Sequence, residues 1–361
     1  MTEPEPFDTL LRPHLDRVSR SFALCIRQLQ EPLRSWTGLA YLICRLLDTV
    51  EDAPWAAPEG QMRAFDALEG FLRAPPSAQA AKAWAATFPA AIDAGEAQLL
   101  QDCHALLLAL HALPAAVLAS LRQVALTMSC GMRYYARAWA QQGSLTLVDL
   151  EDVNRYCYFV AGVVGELLTH LFAQARPDFV IGPRLWTDAQ HFGLFLQKVN
   201  LLKDQRKDEG EGRFLVPERA QVWASLPEHA RGALRYLTAL PKDAQAFRTF
   251  CAWSVFLGAA SLPHIEADHE GDVPHKISRA QTQALLQEIA AMATDNAALT
   301  AAMDTALALL PKPKGQPQEP TPLSAHARQE QQARRAWFLA LDHGPLSLSA
   351  LSELGMAPAP A

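Results

Sequence analysis

The segment YLICRLLDTVED (residues 41–52) carries Tyr41, Arg45, Asp48 and Asp52 at spacings of four, three and four. At about 3.6 residues per turn these spacings lay the four side chains along one stripe of an α-helix, with Glu51 at its edge. The segment FGLFLQKVNLLKDQRKDE (residues 192–209) repeats the design, with Gln197, Asn200, Asp204 and Asp208 at steps of three, four and four. Its other positions, among them Leu194, Phe195, Leu201 and Leu202, are apolar. The polar stripe therefore faces solvent or an internal polar cavity, and the apolar neighbours favour the cavity. Like charges one turn apart repel, and a buried carboxylate without a counter-charge costs several kcal/mol, so a cation is expected between them. Mg²⁺ suits that place because it takes oxygen ligands and leaves room for phosphates. Either stripe alone reads more readily as a solvated face with local salt bridges. Two of one design, inside apolar helices, suit a diphosphate bridged by Mg²⁺, where charge drawn onto the leaving group lets a C–O bond ionise.

The elements that must hold these residues are helices. From Phe7 to about Met303 apolar residues recur at three- and four-residue spacing in an Ala- and Leu-rich chain with few β-branched runs, which predicts an all-α protein of about ten helices. Pro and Gly mark the breaks at residues 53–60, 74–77, 113–114, 175–183 and 209–217. The predicted organisation is one helical domain over residues 7–310, then a Pro-rich extended linker at 311–322 (PKPKGQPQEPTP). Residues 323–341 are expected to form one more charged helix, with a poorly ordered tail to 361.

A net charge of −6 and a pI near 6.0 exclude the basic surface a nucleic-acid binder needs. The six cysteines are scattered, without a C-x-x-C pair, which suggests neither a zinc site nor a disulfide framework and fits a reducing cytoplasm. The N-terminal residues lack the basic start and apolar middle of a signal peptide. The longest uncharged stretch, residues 249–265, is too short to span a bilayer and is read as a buried core helix. The expectation is a cytoplasmic protein without a transmembrane anchor, at most peripheral at a membrane, with no protein partner inferable.

The two acidic segments resemble the aspartate-rich motifs of the squalene and phytoene synthase family, DTVED at residues 48–52 and DQRKD at 204–208. Other segments follow in the family's order: Ser19-Arg20-Ser21-Phe22 resembles its SRSF motif, and residues 156–165 (YCYFVAGVVG) resemble its YCxxVAGxVG helix. Residues 193–200 (GLFLQKVN) and 250–262 (FCAWSVFLGAASL) are similar to the squalene branch. The resemblance spans roughly residues 18–283. It implies an isoprenoid-synthase-type helical bundle around a central cavity and a prenyltransferase acting in two half-reactions. Two farnesyl diphosphates would couple head to head to presqualene diphosphate, and NADPH-dependent reduction would then give squalene.

By position, the resemblance makes Asp48, Glu51, Asp52, Asp204 and Asp208 the metal ligands. The four aspartates and Tyr156 form the catalytic set, Tyr156 as proton acceptor or cation stabiliser. Arg20, Ser21 and Phe22, with Tyr41 and Arg45 on the first acidic helix, become substrate contacts. Gln197 and Asn200 on the second, and Arg213 beyond it, join them. Arg20, Arg45, Lys203, Lys276 and Arg279 become cofactor contacts, a role suited to cations facing phosphates. Burying a prenyl tail contributes about 0.8 kcal/mol per methylene, but equally before and during ionisation, so the acceleration must come from metal and carboxylates.

The chain departs from the squalene branch at three places. Residues 213–217 (RFLVP) resemble the Tyr-Leu-Pro ending of the phytoene and dehydrosqualene branch, Ser254 replaces a proline, and Ser278 stands where a basic residue is common. These departures bear on the NADPH step. They leave open a synthase of the same family that stops at presqualene diphosphate or makes dehydrosqualene or phytoene. A catalytically silent binding or assembly factor would be expected to lack acidic residues in one motif, and both motifs are intact.

Overall fold

The computed structural model describes residues 7–270, 277–310 and 323–357. The protein is all-α. A π-helical turn (Phe7–Leu11) runs into α1 (Arg12–Val18), followed by α2 (Arg20–Ile26), α3 (Leu33–Asp52), α4 (Pro58–Arg73), α5 (Ala78–Ala85), α6 (Ala94–Gln101), α7 (Cys103–His111) and α8 (Ala115–Gln142). Next come the two-residue strand β1 (Leu145–Thr146), α9 (Leu150–Cys157), a second π turn (Tyr158–Gly162), α10 (Val163–Ala175) and α11 (Pro183–Gly210). The chain continues with β2 (Arg213–Phe214), α12 (Arg219–Ala239), α13 (Gln245–Glu270), α14 (Arg279–Met292), α15 (Asn296–Ala308), α16 (Ala325–Leu339) and α17 (Leu348–Glu353). The Pro and Gly breaks fall between helices as expected. The strand pair is an addition: β1 and β2 run parallel with Leu145 opposite Arg213, too short to leave an alternating pattern in sequence.

Where the sequence reads as one domain, the chain divides into two compact units, residues 1–141 with 167–180 and residues 142–166 with 181–361. In the first unit α3 is the central element: Leu42, Ile43, Leu46, Leu47 and Val50 have no exposure. Arg133 of α8 fastens α4 by ion pairs to Asp66 at 2.5 Å and Glu69 at 3.2 Å.

In the second unit α11 is central, and three glycines from the sequence motifs set how closely it meets its neighbour. A Cβ on Gly165 would lie 2.8 Å from the Ala189 carbonyl carbon, and one on Gly193 would lie 2.7 Å from the Gly162 Cα. The two helices therefore cross backbone against backbone, which only glycine permits. Residues 249–265 lie within α13, a mostly buried core helix as expected. Among the described residues two helical runs are long and apolar enough to cross a membrane by length and composition, Ala115–Gln142 and Leu150–Ala175. The most apolar window of the second is 72% buried, as in a core helix.

The linker at 311–322 lies outside the described residues. Beyond it, the charged helix forms as α16, but the segment after it is not the poorly ordered tail expected. It turns at Gly344, forms α17 and buries Leu351, Leu354 and Met356 at 1%, 1% and 0% exposure. Its apolar residues are too few and too interrupted to form an amphipathic pattern, and long-range partners supply the order.

Candidate active site

In the first unit, α3 presents the stripe read from its sequence. Tyr41, Arg45 and Asp48 are partly exposed and Asp52 is exposed, whereas Leu42, Ile43, Leu46, Leu47 and Val50 are buried. Glu51, at the stripe's edge, is 9% exposed. The SRSF segment is brought to the same place: Ser19 caps α2 by accepting from the Phe22 amide at 3.2 Å, and the Phe22 ring lies 5.7 Å from the Tyr41 ring. The Tyr41 phenol, hydrogen-bonded to Ser19, is raised above its ordinary range, chiefly by burial. Ser21 is exposed, and the Arg20 side chain lies outside the description.

Arg45 is held by two carboxylates. Its guanidinium donates to Glu96 at 2.7 Å and lies 3.6 Å from Asp48. Burial pushes the Asp48 carboxyl up to about 7, Arg45 opposes, and Asp52 and Glu96 add to the rise. Glu96 gave no signal in sequence, because Asp93 and Glu96 are spaced like a helix start, and Asp93 indeed caps α6 through the Gly95 amide at 2.7 Å.

In the second unit, Gln197, Asp204 and Asp208 are partly exposed and Asn200 is exposed along α11, while Leu194, Phe195, Leu201 and Leu202 are buried. Lys203 lies 3.1 Å from Asp204. Just past this stripe the chain turns at Gly212, whose φ of +80° is a conformation that side chains disfavour. β2 then directs Arg213 inward, where its guanidinium donates to the Tyr156 hydroxyl at 3.0 Å. Both residues are buried, at 8% and 2% exposure. Arg213, expected as a substrate contact, thus meets the Tyr156 hydroxyl. Tyr156 sits on the last turn of α9, immediately before a π turn, a feature frequent at functional sites.

A buried polar chain lies on the opposite side of α11, and sequence reading missed it. Lys198, without exposure, donates to Ser225 and to His229 Nε2, each at 2.7 Å. The Nδ1 atoms of His229 and His191 are 2.9 Å apart, and His191 Nε2 lies 3.9 Å from Glu353 of α17. Burial lowers Lys198 to about 7 and His191 to about 3, and drives His229 well below its usual value. At the glycine crossing, Gln190 hydrogen-bonds Glu166, which burial raises to about 8.

Among the described residues no three acidic, His or Cys side chains converge into a metal cage. The donor set still fits Mg²⁺, which binds through one or two carboxylates together with phosphates and water. Among the cofactor candidates, Lys203 and Arg279 are exposed, Arg45 is engaged as above, and Lys276 lies outside the described residues.

Residues 15–220 match the family model described as squalene/phytoene synthase. The chain belongs to that family. Within it, the chain is 29% identical over 248 residues to the squalene synthase of Schizosaccharomyces pombe, covering 65% of this chain and 51% of that protein. It is 30% identical over 211 residues to that of Mus musculus, covering 58% and 46%. The alignments thus take in about half the length of these relatives. A solved complex of TcSQS with a ligand has a TM-score of 0.68 at 21% identity, covering 89% of this chain and 94% of that one. A dehydrosqualene synthase, also solved with a ligand, scores 0.54 at 18% identity, covering 80% and 98%. Both likenesses establish the all-α isoprenoid-synthase fold expected from the sequence.

Proposed function

We propose that this family member is a prenyltransferase that couples two farnesyl diphosphates head to head to presqualene diphosphate and reduces that intermediate to squalene with NADPH. The observation that carries the reading is the pair of accessible carboxylate stripes on α3 and α11, helices whose apolar positions are buried, in a squalene/phytoene synthase family member. Its relatives named squalene synthase support the choice of product.

Asp48 and Asp52 on α3, with Glu51 beside them, would hold Mg²⁺ for a diphosphate, and Asp204 and Asp208 on α11 would each serve as Mg²⁺ ligands likewise. When bound, Mg²⁺ neutralises charge on the leaving diphosphate. Tyr41, Arg45, Gln197 and Asn200 border the carboxylates and bind and orient the oxygens. Phe22, against Tyr41, covers the prenyl chain. The Tyr156 oxygen, fixed by Arg213, accepts the proton lost on coupling or stabilises the adjacent cation. NADPH, when bound, supplies hydride, and Lys203 and Arg279 suit its phosphates. Arg20 and Lys276 complete that set by resemblance.

A second reading, a product short of squalene, draws on Ser254 and Val216. Ser254 continues α13 without the break a proline would make, its hydroxyl donating to the Phe250 carbonyl at 3.0 Å. Ser278, by contrast, has a structural reason to differ: it caps α14 in a capping box with Gln281. Incubation with farnesyl diphosphate and Mg²⁺, with and without NADPH, tests both readings by product analysis. Squalene is expected only with NADPH, and an identical product in both mixtures defeats the reductive step. Asp48→Asn and Asp204→Asn are each expected to abolish diphosphate release in a folded protein. Unchanged turnover in both removes the metal assignment.

A further inference from the structure

α9 is eight residues long and carries Tyr156, yet it buries three polar side chains: Asp152 and Arg155 have no exposure and Asn154 has 3%. Groups of this kind destabilise a fold unless each finds a partner. Some partners are local, Asp152 accepting from the Val148 amide at 3.1 Å and pairing with Arg155 at 3.5 Å, and others come from residues 331–355. Arg334, itself 3% exposed, pairs with Asp152 and also donates to the Thr146 carbonyl at 3.0 Å. Asn154 donates to the carbonyls of Leu354 and Gly355, each at 3.1 Å. Arg335 holds Glu151 at 2.9 Å and 2.5 Å, Glu151 in turn pairs with Arg155, and Gln331 donates to Asp149, the N-cap of α9.

Apolar contacts follow the same path. Phe159 packs against Trp337 at 5.3 Å, and Tyr158 against Phe338 at 5.7 Å, directly after Tyr156 in the chain. Gly355 closes the segment with φ +66°, and a Cβ there would lie 2.7 Å from Asn154 Nδ2. Glu353 extends the grip to α11 through Arg184 at 2.6 Å.

We propose that residues 324–357 are a clasp that positions Tyr156, with Arg334 as its principal positioning residue. Arg334 holds α9 through Asp152, and α9 presents the Tyr156 oxygen to Arg213. When the clasp opens, buried Asp152 loses Arg334 while keeping Arg155 at 3.5 Å and the Val148 amide at 3.1 Å, Asn154 loses the Leu354 and Gly355 carbonyls, and the loosened α9 lets the oxygen leave its place. The contacts of the clasp named above fall on β1, α9 and its N-cap, the π turn after it and the first turn of α11, so substrate and metal binding are expected to persist. The inference rests on the functional reading above for its catalytic consequence, and on contacts alone for its hold on α9.

The test uses the full chain with Arg334→Ala. Turnover of farnesyl diphosphate with Mg²⁺ is expected to show kcat reduced by about 10- to 100-fold, with KM within about twofold, because small misplacement of a reacting group costs that much. Amide hydrogen exchange over residues 150–157 is expected to accelerate. Arg334→Lys should recover part of both. Should the single variant fail to fold, Asp152→Asn/Arg334→Gln removes both charges and is expected to fold with the same kcat defect. Unchanged exchange over α9 overturns the clasp whether or not the protein turns over. Accelerated exchange with unchanged kcat overturns the positioning role. If the wild type does not consume farnesyl diphosphate, the functional reading fails, and the exchange result still decides the clasp.

Discussion

Asp48 shows how much a few ångströms around one carboxylate decide. Its pKa of about 7, against an ordinary 3.8, comes first from burial, with Asp52 and Glu96 adding to the rise that Arg45 opposes. A raised carboxyl contributes stability below its ordinary pKa and loses it as pH rises through the folded value, so the metal-free protein is expected to weaken across that window. A bound cation reverses the preference, because it must displace the proton. Mg²⁺ affinity, measured calorimetrically with inorganic diphosphate present, is therefore expected to climb as pH rises from about 6 to 7 and then to level off. A flat profile would remove Asp48 from the ligand set. The stripe itself was legible in sequence because helical spacing alone aligns Tyr41, Arg45, Asp48 and Asp52. Glu96 was not, since it meets Arg45 from 51 residues away and imitates a cap. Arg213 was legible as a family position but not as the residue that meets the Tyr156 hydroxyl, because that contact spans 57 residues.

For the helices, what sequence conveyed best was punctuation and what it conveyed least was contact. Pro and Gly located the ends of α3, α4, α7, α10 and α11, since those residues act on the local backbone. The glycines of YCYFVAGVVG and GLFLQKVN could be quoted as motif, but their role appears only in the crossing with α11. Gly193→Ala is expected to destabilise by about 3 kcal/mol or more, because its new methyl meets backbone that cannot yield. Gly70→Ala in α4 meets nothing within 4 Å and is expected to stabilise by about 0.5 to 1 kcal/mol. Urea denaturation of the two variants separates close approach from helix propensity; equal shifts would refute the crossing as the reason for Gly193.

At the scale of the whole molecule, stability must reflect the buried base Lys198. Lys198 falls from 10.5 to about 7 on folding, so the unfolded chain binds more protons between those values. Stability is then expected to rise with pH across that window and to be lost as pH falls toward 7. Lys198→Met should flatten this rise, and parallel denaturation curves for the two proteins across the alkaline range would contradict it. His191 and His229 act at the other end. Kept neutral by burial, they contribute stability above their ordinary 6.5 that is lost as pH falls toward about 3 for His191. None of this was readable from Lys198 in the motif QKVN, since a lysine's burial depends on which helices come to face it. The fate of residues 323–357 was equally hidden, because their charged and broken pattern finds order only against α9. That last packing also sets a schedule for birth of the protein. Asn154 and Gly355 are 201 residues apart in the chain, and ribosomes add about 5–20 residues per second, so the tyrosine helix waits roughly 10 to 40 s for its final partner. A nascent chain stalled in that interval would carry both acidic stripes without a seated Tyr156, so on the proposed reading the tyrosine would take its place only after residue 355 has been added.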